Sequence, residues 1–109
     1  MSLKNLSDFL PVSGVYAIIN KYTGRVYVGQ SRNMVARWVS HVSDLQRQMH
    51  SNKQLQSDWD KYGAEGFSVQ VISRCQPEYL LSEEQYCIKE YRSIAGVYNV
   101  GEIQAIYVV

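Results

Sequence analysis

Two short runs near the start of the chain alternate apolar and polar or aromatic positions. They are Gly14-Val15-Tyr16-Ala17-Ile18-Ile19 and Val26-Tyr27-Val28-Gly29, and the turn-prone Lys21-Tyr22-Thr23-Gly24 separates them. Period-2 alternation on both sides of such a turn predicts a β-hairpin. A four-residue loop pairs Asn20 with Arg25, Ile18 with Tyr27 and Tyr16 with Gly29. Tyr16, Ile18, Tyr27 and Gly29 then share one face, and Val15, Ala17, Ile19, Val26 and Val28 share the other. The aliphatic face is expected to be the core face. The other face carries two phenols beside a residue with no side chain, so Gly29 is expected to leave an opening opposite Tyr16 that a ligand could enter.

The pattern then changes to helical spacing. Asn33 is the expected N-cap of a helix reaching about Gln48, with Val35, Trp38, Val39, Val42, Leu45 and Met49 as its apolar stripe. Arg37 and His41 are i, i+4 neighbours off that stripe, on one flank. His50 falls in the connection, with no role assigned. Ser51-Asn52-Lys53-Gln54 has capping-box form and leads into a short helix with Leu55, Trp59 and Tyr62 on one face. Gly63 closes it as a C′ glycine. Phe67 to Ser73 alternates again and predicts a third strand.

Pro77 opens a last helix running to about Tyr91. At about 100° per residue, Leu80, Leu81, Cys87, Ile88 and Tyr91 all cluster around Glu84, whereas Glu83 and Glu90 project elsewhere. A carboxylate at the centre of an apolar stripe must be paired, protonated or bound to a cation. The order β-β-α-α-β-α predicts an α+β domain, a small three-stranded antiparallel sheet flanked by helices. Residues 1–12 are read as an entry segment, 13–100 as the domain and 101–109 as an apolar tail.

Composition narrows the class. A chain of 109 residues has room for one core. Net charge is +1, so any basic surface for nucleic acid must be local. Neither a signal-type apolar segment nor a membrane-length one is present, so the expectation is a soluble, cytoplasmic protein with no membrane partner. Cys75 and Cys87 lack metal-type spacing and are expected to be free thiols.

Taken together, these residues resemble the GIY-YIG nuclease superfamily, in its phage or homing branch. Gly14-Val15-Tyr16 and Val26-Tyr27-Val28-Gly29 are similar to its two name motifs, with valine in place of isoleucine in each. Arg37 stands where the family has its helix arginine. Leu55, Trp59, Tyr62, Gly63 and Phe67 resemble the phage-type middle segment. Glu84-Gln85-Tyr86 resembles the acidic helix, and Tyr98-Asn99 the closing dipeptide.

The resemblance implies an endonuclease that hydrolyses DNA phosphodiesters with one divalent metal, Mg2+ or in its place Mn2+. Glu84 would hold the metal, Arg37 would stabilise the phosphate, and Tyr16 would be the general base or orient the attacking water, with Tyr27 beside it. His41 would hydrogen-bond a tyrosine hydroxyl, the water or a phosphate. Gly29, Arg32 and Asn99 would lie near the phosphate or DNA, Asn99 bonding backbone or ligand. Family members that cut defined sites usually carry an added DNA-recognition domain, so such a domain or a partner would supply specificity here. The competing expectation is a non-catalytic nucleic-acid-binding module on the same fold.

Overall fold

The structure, a computed structural model, describes residues 13–99. The entry segment 1–12 and the tail 101–109 lie outside the described residues. The elements follow the expected order. They are β1 (Gly14–Asn20), β2 (Val26–Ser31), α1 (Met34–Gln46), α2 (Lys53–Tyr62), β3 (Phe67–Arg74) and α3 (Leu80–Ile94). Short 3-10 turns precede β3 and α3.

The three strands form one antiparallel sheet in the order β2-β1-β3. The hairpin register is the expected one, with Tyr16 opposite Gly29 and Ile18 opposite Tyr27. Its turn is held by Asn20, whose side-chain oxygen accepts the amides of Tyr22 (2.9 Å) and Thr23 (3.3 Å). Gly24 completes the turn at φ 79°, in the left-handed region where a side chain is strained. Against β3, Val15 pairs Ser73 while Tyr16 pairs Val71, so Ile72 is an extra residue in a bulge. That bulge sits beside Tyr16, with Val71 packed on the Tyr16 side of the sheet and Ile72 on the α3 side.

Both faces of the sheet are covered, and this corrects the expectation of a single aliphatic core face. Val15, Ala17, Val26 and Val28 pack with Cys87 and Ile88 of α3 and with Val97. Tyr16 and Ile18 pack on the other side with Met34, Trp38, Val42 and Leu45 of α1, Leu55 and Trp59 of α2, Phe67 and Tyr98. Alternation cannot distinguish an exposed aromatic face from one buried under helices. Tyr16 is 1% exposed. Burying each fully enclosed Val, Leu, Ile, Phe or Met side chain contributes about 1.5–3 kcal/mol.

The helix boundaries differ in informative ways. Asn33 caps α1 through its side chain, accepting from Ala36 N as expected. The buried stripe of α1, however, is Met34, Trp38, His41, Val42 and Leu45, while Val39 and Met49 are exposed. His41 therefore faces the core rather than a flank. Asn52, not Ser51, caps α2, accepting from Leu55 N. Gly63 ends α2 at φ 78°, the conformation that makes glycine the favoured residue there. Pro77 begins a 3-10 turn, and the α-helix itself runs Leu80–Ile94.

The outer edge of β2 is closed by the segment after α3. Val97 bridges Val26 in parallel, and Tyr98 N donates to Val26 O at 2.7 Å. Asn99 then brackets Val28, accepting from its amide and donating to its carbonyl, both at 2.9 Å. An unpaired sheet edge is thereby satisfied. Among the described residues no helix is long and apolar enough to cross a membrane.

Candidate active site

β1 and β2 deliver the two phenols to one face, and α1 lies across that face. Gly29 has a different use from the one expected. A Cβ at Gly29 would lie 2.4 Å from the Tyr16 hydroxyl and 2.5 Å from its ring carbon, so the space is filled by Tyr16 itself. The missing side chain lets the phenol lie across β2, so the space beside Gly29 is taken up by Tyr16.

Tyr16 is held by α1. Its hydroxyl is 2.6 Å from His41 Nε2, and the two rings meet edge-on at 5.7 Å. Tyr27 also meets His41 edge-on, at 5.2 Å. His41 Nδ1 lies 2.7 Å from His50 Nε2, and these imidazoles stack at 5.0 Å. His50 is buried and is the residue that sequence reasoning missed. It occupies the α1–α2 connection, where no periodicity reports burial. Gln56 pins that connection, accepting from His50 N (2.9 Å) and donating to Leu45 O (3.0 Å).

The electrostatics tie the remaining candidates to the phenols. Burial raises the Tyr16 pKa above its usual value, and the neighbouring Tyr27 and the Glu84 carboxylate add to the rise. Arg37 opposes it by charge and by hydrogen bonding. Tyr27 is raised by the same burial, with Arg37 again opposing and Glu84 adding. Both phenols are therefore neutral at pH 7. His41 is pushed down to about 3, first by burial and then by the positive charge of Arg37 and by His50. Burial also lowers His50, with Asp44 opposing.

Tyr16, Tyr27, Arg37, His41 and Glu84 thus act on one another, from β1, β2, α1 and α3. Arg37 is half-buried. Glu84 is half-buried too, so its place on the α3 stripe imposes a weaker burial cost than a fully enclosed carboxylate would carry. Arg32 is exposed in the connection from β2 to α1. Asn99 is committed to the backbone of Val28. Among the described residues no group of three or more His, Cys, Asp or Glu is placed to hold a metal ion. The donor set suits a hard cation held by one carboxylate, with water and substrate oxygens supplying the other ligands.

A second polar network stands behind the first. Tyr98 donates to Asp58 Oδ2 at 2.6 Å and accepts from Asn20 Nδ2 at 3.0 Å. Burial, then the Asp58 carboxylate, raise Tyr98 to about 12. Asn52 donates from its side chain to Tyr98 O at 2.9 Å. The network joins the hairpin, α2 and the closing segment, so it braces the frame in which Tyr16 is set.

Residues 12–99 match the GIY-YIG catalytic domain family. The chain belongs to it. Its sequence is 30% identical over 92 residues to Intron-associated endonuclease 1 of Enterobacteria phage T4, a match covering 83% of this chain. The chain spans 37% of that relative's length. Among solved structures it is similar to the catalytic domain of homing endonuclease I-TevI, with a TM-score of 0.74 and 30% identity. That match covers 82% of this chain and 98% of the other. A mutant form of the same domain gives a TM-score of 0.72 at 30% identity, covering 82% and 93%.

Proposed function

We propose that this domain is a metal-dependent DNA endonuclease, cutting phosphodiesters with a single divalent ion. What supports the reading is that Arg37 and Glu84, from different helices, both act electrostatically on the two hairpin phenols, with Arg37 also hydrogen-bonding them.

Each group has a role suited to its chemistry. The Arg37 guanidinium neutralises charge growing on the scissile phosphate, where its fork suits two oxygens. Tyr16 accepts the proton of the attacking water or orients that water, and Tyr27 lines the same position. An unperturbed phenol has a pKa of about 10, so at pH 7 only about one in a thousand is ionised. Burial makes this harder, and Arg37 is the chain's own group that favours the ionised form. Glu84 would hold Mg2+ or Mn2+, which supplies Lewis-acid stabilisation of the leaving oxygen. Exposed Arg32 is available to a neighbouring backbone phosphate, and Asn99 contributes by fixing the β2 edge. Recognition of a target sequence would rest on a further domain or a partner.

The test is nicking of supercoiled plasmid. The parent is expected to cut with Mg2+ and to stop on chelation, while Arg37→Ala and Glu84→Ala each lose about 100-fold or more with unchanged melting. If either variant cuts at the parent rate, its residue lies outside the chemistry.

A further inference from the structure

The hydrogen bonds behind Tyr16 have a fixed direction. Asn52 N donates to His50 Nδ1 at 3.0 Å. A backbone N–H can only donate, so this nitrogen bears no proton and a neutral His50 carries its proton on Nε2. That Nε2 faces His41 Nδ1 at 2.7 Å. Nε2–H must donate and Nδ1 must accept, which leaves the proton of a neutral His41 on Nε2. This second Nε2 is the atom 2.6 Å from the Tyr16 hydroxyl.

We infer that the Asn52 amide, acting through His50, sets His41 as a hydrogen-bond donor to the Tyr16 oxygen and prevents it from taking the phenol's proton. The inference rests on Tyr16 as the proton-accepting or water-orienting group and goes beyond it, because it gives His50 a positioning role.

An acceptor imidazole would favour the neutral phenol by holding its O–H. A donor imidazole favours the oxyanion, as Arg37 does, and offsets part of the burial cost. The phenol's own proton must then pass to a solvent water on the side away from His41. Both rings are kept neutral by burial, against the opposing charge of Asp44 on His50 and with Arg37 assisting. The connection that carries His50 is itself held, since His50 N donates to Gln56 and Asn52 caps α2. Tyr27 packs edge-on against both imidazoles, at 5.2 and 5.8 Å, so neither ring is free to flip without displacing it.

The test is nitrogen NMR of the intact chain labelled with 15N-histidine, at neutral pH. Both His41 and His50 are expected in the Nε2–H form with a bare Nδ1. A proton on His41 Nδ1, or a charged ring, overturns the inference whether or not the protein cuts DNA.

Two variants add a kinetic readout. In His50→Gln the side-chain amide can still donate to His41, and most plasmid cleavage is expected to remain. In His50→Glu the carboxylate can only accept. It should draw the His41 proton to Nδ1, visible in the same spectrum, and lower cleavage about 100-fold with DNA affinity retained. Equal losses in both variants would mean that His50 merely fills space. The Tyr16→Phe variant separates the two claims. If it cuts at the parent rate, the role of Tyr16 fails while the histidine spectra still decide the direction of the chain.

Discussion

The two faces of the sheet are both buried but built on different terms. The α3 face is aliphatic, with Val15, Ala17, Val26, Val28 and Ile88 as its centre. The α1 face encloses Tyr16, His41, His50, Asn20 and Gln56 among its apolar residues. An aliphatic layer gains from every atom removed from water. A polar layer loses on each group unless a partner meets it. On the α1 face those partners are specific, so Tyr16 has one place to lie, between Gly29 and His41. Both faces contribute cohesion, and the α1 face, which has the larger cluster, also accepts a burial cost to fix a phenol beside Arg37.

That division can be broken from either side. Ile88→Ala removes a 2%-exposed side chain from the aliphatic layer. It should lower unfolding free energy by about 2–5 kcal/mol in urea melts, while the cleavage rate per folded molecule changes only a few-fold. Loss of cleavage in fully folded Ile88→Ala protein would mean that the faces are not separable.

The smaller effect concerns acid. His41 has its folded-state pKa lowered to about 3 from an ordinary 6.5. The unfolded chain therefore binds the proton first. The stability due to a neutral His41 is fully present above about pH 6.5 and is lost as pH falls from there toward 3. Urea midpoints at pH 7 and pH 5 should fall less in His41→Gln than in the parent. Equal falls would place the acid sensitivity elsewhere.

Much of this arrangement is local and so was legible in the residues. The hairpin parity follows from loop length alone, and it correctly pairs Tyr16 with Gly29. The caps at Asn33 and Gly63 follow from short-range hydrogen bonding and backbone preference. What escaped was tertiary. The space at Gly29 is legible as a close approach, but its occupant is Tyr16, a residue of the neighbouring strand. The stripe of α1 is displaced because Met34, in the first turn, meets the sheet and brings His41 inward with it. His50 carries no periodic signal, and its importance arises from the Asn52 amide two residues on. Ser51 has the capping-box form, yet Asn52 wins because its side chain serves the cap and Tyr98 together.

On this mechanism the Tyr16 hydroxyl takes part in the reaction and is not simply a buried group satisfied by His41. Single-turnover cleavage of plasmid by Tyr16→Phe, alongside its melting curve, tests this most directly. A rate lower by about 100-fold to 10,000-fold is expected with the fold intact, since only one oxygen is removed. A Tyr16→Phe protein that melts like the parent and cuts at the parent rate would contradict it.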